Sequence, residues 1–126
     1  MKRVLIIDDD VALTQVLKIN LDDTGNYESR IVNVSSNAIA AAREFKPDII
    51  LLDVVMPGLD GGDISAALKQ DPVLSKVPVL IITALVSNDE TGENAVVSSG
   101  DQVMIAKPIR LDVLTKAIED RMAGVL

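Results

Sequence analysis

The feature that most constrains this chain is a set of short, unbroken apolar runs, each ending on a polar residue. Val4-Leu5-Ile6-Ile7 runs into Asp8, Ile49-Ile50-Leu51-Leu52 into Asp53, Val79-Leu80-Ile81-Ile82 into Thr83, and Val103-Met104-Ile105-Ala106 into Lys107. Runs this short, with no internal polar alternation, predict strands covered on both faces, as in a parallel sheet. Residues 27–34 alternate instead, as a less buried strand does. Between the runs, apolar residues recur at helical spacing: Leu13, Val16, Leu17 and Leu21; Ala38, Ala41, Ala42 and Phe45; Ile64, Ala67 and Leu68; Leu111, Leu114, Ile118 and Met122. Residues 87–100 are the least defined, with few apolar side chains and a helix-weakening Gly92. Five βα units in series predict an α/β fold with a five-stranded parallel sheet, helices on both faces and right-handed crossovers. With no repeat, linker or low-complexity tract, residues 1–126 are expected to form one domain, with no output domain.

Composition narrows the chemistry. One Tyr, one Phe and no Trp leave the core to aliphatic side chains. The absence of Cys excludes disulfides, thiolate nucleophiles and zinc–thiolate sites. The absence of His removes the usual neutral-pH general base and the usual transition-metal ligand. Carboxylates, hydroxyls, lysines and a hard, oxygen-bound cation remain. A net charge of −7, from 12 basic and 19 acidic residues, is a poor match for direct contact with nucleic acid. After Met1-Lys2-Arg3 only four apolar residues precede Asp8, too few for a signal peptide or a membrane span. The cytoplasm is the expected location.

In an open parallel sheet, ligands bind beyond the carboxyl ends of the strands. Asp8-Asp9, Asp53, Thr83 and Lys107 therefore converge on one edge. Each has a plainer account: Asp8-Asp9-Asp10 as a helix cap, Asp53 as a turn residue, Thr83 as an ordinary strand residue and Lys107 as a solvated charge. Four strand ends carrying such residues on one edge are poorly explained as four coincidences. Crowded carboxylates repel one another unless a cation sits among them. Mg²⁺ suits a site built from carboxylates, water and phosphate oxygens. A phosphoryl group entering the pocket presents three equatorial oxygens, for the cation, Lys107 and the Thr83 hydroxyl.

These motifs, together with Asp53-Val54-Val55-Met56-Pro57-Gly58-Leu59-Asp60-Gly61, Thr83-Ala84 and Lys107-Pro108, resemble the CheY-like receiver domain of two-component response regulators. The resemblance runs from Lys2 to about Met122. It implies a flavodoxin-like (βα)5 strand order and a role in bacterial phosphorelay signalling. By resemblance, Asp53 is the phosphoacceptor, and Asp8, Asp9, Asp53 and the backbone carbonyl of Val55 hold Mg²⁺ or Mn²⁺. Thr83, Ala84 and Lys107 contact the phosphoryl group, and the peptide before Pro108 is cis. The implied donor is the phosphohistidine of a sensor histidine kinase or phosphotransfer protein, since this chain has no His. The implied output is a conformational change read by an effector on the face of the family's fourth helix, fifth strand and fifth helix. A homodimer through that face is left open. The resemblance implies self-catalysed phosphorylation and dephosphorylation rather than turnover of a separate substrate.

One position departs from the family's habit, and two others bear on the lifetime of the phosphoryl group. Met104 stands where an aromatic switch residue is common, and its soft torsions predict a less two-state readout. Val55 and Leu85 flank the acceptor with apolar side chains, predicting hindered water attack and a long-lived phosphoryl-aspartate. Two competing readings remain. A pseudo-receiver would act only as a binding module, although the full set of site residues is present. A haloacid-dehalogenase-like phosphohydrolase would use Asp8 as nucleophile and Asp10 as acid/base, but Val11 replaces the usual Gly and the chain has no room for a cap domain.

Overall fold

The computed structural model describes residues 1–53, 61–83, 96–99, 102–106 and 110–124. The strands are β1 (Lys2–Ile7), β2 (Tyr27–Val32), β3 (Ile49–Asp53), β4 (Val79–Thr83), β5 (Val96–Ser99) and β6 (Gln102–Ala106). The helices are α1 (Val11–Asp23), α2 (Ala38–Phe45), α3 (Gly61–Gln70) and α4 (Leu111–Met122), with short 3-10 turns at Ser35–Asn37 and Leu74–Lys76. The sheet order is β2-β1-β3-β4-β6-β5. Its first five members are parallel, as the alternation of runs and periodic stretches predicts. The sixth was not foreseen: β5 lies within the poorly defined stretch 87–100 and pairs antiparallel with β6, from Val96 opposite Ile105 to Ser99 opposite Gln102.

Because strand side chains alternate between faces, each apolar run feeds two cores. Val4, Ile6, Ile49, Leu51, Leu80, Ile82 and Ile105 pack with Leu17 and Leu21 of α1 and Leu114, Ala117 and Ile118 of α4. Leu5, Ile7, Ile50 and Leu52 pack on the opposite face with Ala38, Ala42 and Phe45 of α2 and Ile64 and Leu68 of α3. Burying one such aliphatic side chain is worth about 1.5–3 kcal/mol, and most of these are fully enclosed.

Two sequence expectations shift. The second strand stops at Val32, short of residue 34, because β1 has ended and its chain turns into α1, so no neighbour extends the ladder. On α1 the buried stripe is Thr14, Leu17 and Leu21. Val16, expected inside, is 53% exposed, and Leu13 is only partly covered.

Side chains fasten the periphery. At the outer edge of β2, Asp22 accepts from the Ser29 amide (3.0 Å) and hydroxyl (2.7 Å), while Lys18 donates to the Ser29 carbonyl at 2.6 Å. Lys18 and Asp22 also pair with each other at 2.8 Å. Burial pushes the Asp22 carboxyl up, but the hydrogen bonds from Lys18 and Ser29 outweigh it and leave the group below its ordinary value.

Asp71 joins α2 to the loop after α3. Its Oδ2 lies 2.7 Å from Arg43 Nε and 2.6 Å from Nη2, and its Oδ1 accepts from the amides of Val73 and Leu74 at 2.9 and 3.1 Å. Arg43 first, and those amides next, hold Asp71 below its ordinary 3.8. A carboxyl lowered in the folded state contributes stability that is whole above the unfolded value and lost as pH falls through the folded one. Urea unfolding should therefore show wild-type stability dropping more steeply below pH 3.8 than that of Asp71→Asn. Parallel pH profiles would contradict the assignment.

Candidate functional site

The sheet changes winding direction between β1 and β3. From β1 the chain moves outward to β2, then returns across β1 to place β3 on its other side. Such a reversal opens a crevice at the carboxyl ends of the two neighbouring strands. Ile7 lies opposite Leu52 in the ladder, so the next residues, Asp8 and Asp53, arrive together. Within β3, Asp53 continues the parity of Ile49 and Leu51, toward the face that α1 covers.

The turn from β1 into α1 is heavily tied. The Asp8 amide donates to the Val32 carbonyl at 3.0 Å. Asp8 Oδ1 accepts from the Asp10 amide at 3.0 Å. Asp10 is the N-cap of α1, its Oδ1 accepting from the Leu13 amide at 3.0 Å. The three acids of Asp8-Asp9-Asp10 are thus divided: the third caps the helix, and the first two face the crevice. Asp10, the acid/base of the phosphohydrolase alternative, is engaged with the helix end.

One carboxylate oxygen each from Asp8, Asp9 and Asp53 lies within 4.8 Å of the other two. Asp8 is 0% exposed and Asp53 4%, whereas Asp9 is open to solvent. Three oxygen donors, two enclosed and one at the mouth, suit a hard divalent cation that keeps part of its water shell. The donor set contains no nitrogen or sulfur, so it discriminates against softer metals.

The other expected site residues reach the same edge by backbone or fall outside the described residues. Asp53 pairs with Ile82, so Thr83 ends β4 one step further along. Thr83 is opposite Ala106, and Lys107 follows Ala106 directly in the chain. Met104 sits mid-strand in β6, between Ile81 and Val97. Val55, Ala84, Leu85, Lys107 and Pro108 lie outside the described residues. Sequence reading missed Thr14 and Asn33, which bond to each other beside Asp8. A polar residue on the stripe shared with Leu17 and Leu21 was the available signal for Thr14.

Residues 4–119 match the family model described as the response regulator receiver domain. The chain belongs to that family. It is 33% identical over 124 residues to protein PilH of Pseudomonas aeruginosa, covering 98% of this chain and 100% of PilH. It is 31% identical over 121 residues to the DNA-binding response regulator MtrA of Mycobacterium tuberculosis, covering 96% of this chain but 50% of MtrA. The chain thus spans about half the length of its MtrA relatives. Among solved structures, the chemotaxis protein CheY4 of Vibrio cholerae superimposes with a TM-score of 0.79 at 25% identity, covering 96% of this chain and 98% of CheY4. The CheY-like fold and the receiver-domain resemblance are therefore both borne out.

Clustered carboxylates repel one another in the metal-free protein. Neutralising the solvent-facing member removes repulsion without opening the core. Asp9→Asn in EDTA should raise the thermal midpoint by roughly 1–3 °C. A midpoint lowered by the substitution would show that Asp9 is held by attraction rather than tolerated against repulsion.

Proposed function

We propose that this receiver domain accepts a phosphoryl group on Asp53 from the phosphohistidine of a sensor kinase or phosphotransfer protein, in the cytoplasm. The observation that carries the reading is the Asp8–Asp9–Asp53 carboxylate cluster at the crevice between β1 and β3. An Asp53 carboxylate oxygen attacks phosphorus as the P–N bond to the imidazole breaks, and the imidazole leaves with that electron pair. Asp8, Asp9, Asp53 and the Val55 carbonyl are the residues that would hold Mg²⁺ or Mn²⁺. When bound, the ion supplies positive charge against the phosphoryl oxygens. Thr83, Ala84 and Lys107 engage the remaining oxygens, Lys107 by charge and Thr83 by its hydroxyl. The Lys107–Pro108 peptide is cis in this reading. Binding of the phosphoryl group draws Thr83 inward and alters the surface around β6 and α4, where an effector reads it, with Met104 in the path. The domain catalyses only its own phosphorylation and hydrolysis.

The donor approaches beside α1, whose first turn follows the acidic pair. Val11, Val16 and Ile19 are 51%, 53% and 66% exposed on this helix. Exposed apolar side chains grouped beside a site are a familiar mark of protein contact. Their position fits a helical donor whose reactive imidazole reaches over the pocket.

Mass spectrometry after incubation with acetyl phosphate and Mg²⁺ should find one phosphoryl group on Asp53, absent in Asp53→Asn. Phosphate on Asp8 would favour the phosphohydrolase, and no phosphate with no beryllofluoride binding would favour the pseudo-receiver. With the cognate phosphohistidine donor, Ile19→Asp should slow transfer by tenfold or more, about 1.4 kcal/mol of lost docking. Its labelling by acetyl phosphate should remain at the wild-type rate.

A further inference from the structure

The residue directly after β2, Asn33, has no part in the reading above, yet its side chain enters the turn that carries the acidic pair. Asn33 Nδ2 donates to the Asp8 carbonyl oxygen at 2.7 Å and to Thr14 Oγ1 at 3.0 Å. Thr14 is 0% exposed, and its hydroxyl lies 3.1 Å from the Asp10 carbonyl and 2.9 Å from the Val11 carbonyl. The Asp8 carbonyl belongs to the peptide that joins Asp8 to Asp9, so Asn33 grips the one linkage between two of the three clustered carboxylates. From the other side, the Asp10 amide ties back to Asp8 Oδ1 at 3.0 Å. The linkage is therefore fixed at both ends, by Asn33 and by Asp10.

The residue type matters. A primary amide carries two hydrogens on one nitrogen and can serve both acceptors at once. A serine hydroxyl carries one hydrogen, an aspartate none. Partners that orient a metal's ligands commonly govern affinity without touching the ion.

We infer that Asn33 is a positioning residue for divalent-cation binding: its amide sets the Asp8–Asp9 peptide so that both carboxylates converge on the ion. This rests on the cation-dependent reading above. The test is a Mg²⁺ titration of the whole metal-free protein, followed by backbone amide shifts in ¹⁵N-resolved NMR, which needs no phosphorylation. Asn33→Ala should weaken Mg²⁺ binding by about tenfold. Asn33→Ser, keeping one donor, should fall between it and the wild type. Asp22→Asn loosens the far side of β2 without touching the turn and should bind as the wild type does. Should Asn33→Ala not fold, the Ser variant decides on the same criterion. Wild-type affinity in a folded Asn33 variant, or equal weakening in Asp22→Asn, would overturn the inference. A wild-type protein that binds no Mg²⁺ would instead overturn the proposed function, and this inference with it.

Discussion

The pairing of β1 with β3 is the contact on which everything else here depends. Neither strand carries any chemistry in its interior: Val4, Leu5, Ile6 and Ile7 and Ile49, Ile50, Leu51 and Leu52 are all fully buried aliphatics. Their parallel register, with Ile7 opposite Leu52, is what brings two carboxylates distant in sequence to the same point. A slip of one residue would turn every side chain to the opposite face and move Asp53 away from α1. Register is costly to change because both faces of these strands are packed. The acidic pocket thus inherits its precision from hydrophobic burial several residues away.

Repulsion among the carboxylates of that pocket works against the fold. Gathering Asp8, Asp9 and Asp53 places like charges close together, and enclosing Asp8 and Asp53 removes them from most of their water. The apolar layers on either side of the sheet carry that cost. Such a site is responsive for the same reason: any positive charge entering it changes the local energy balance considerably. Hydrogen bonds from the Asp10 amide on one side and the Asn33 side chain on the other tie down the turn that carries Asp8 and Asp9.

Much of this was legible in the sequence, for a definite reason. Strands covered on both faces announce themselves as continuous apolar runs, so β1, β3, β4 and β6 and the polar residues ending them could be read directly. Helix faces were legible in period but less so in phase. Hydrophobicity favoured Val16 as a core residue of α1, whereas the tied turn at Asp10 and the buried hydroxyl of Thr14 rotate the helix and expose it. The antiparallel β5 was hidden because Val96-Val97-Ser98-Ser99 has too few apolar residues to mark a strand. Asn33 was hidden because its role is a tertiary hydrogen bond, which leaves no periodic trace.

One small device at the opposite side of the molecule has a wider reach. In the parallel ladder with β1, Ser29 turns its backbone amide and carbonyl outward, where another strand would dock. Asp22 occupies the amide and Lys18 the carbonyl, so side chains of α1 already take the hydrogen bonds that a seventh strand would make at Ser29. Fibre growth by strand addition requires every molecule to accept a neighbour on each side. With Ser29 already engaged, a strand adding along β2 would first have to displace Asp22 and Lys18. The helix that packs on the sheet thereby also guards part of its edge.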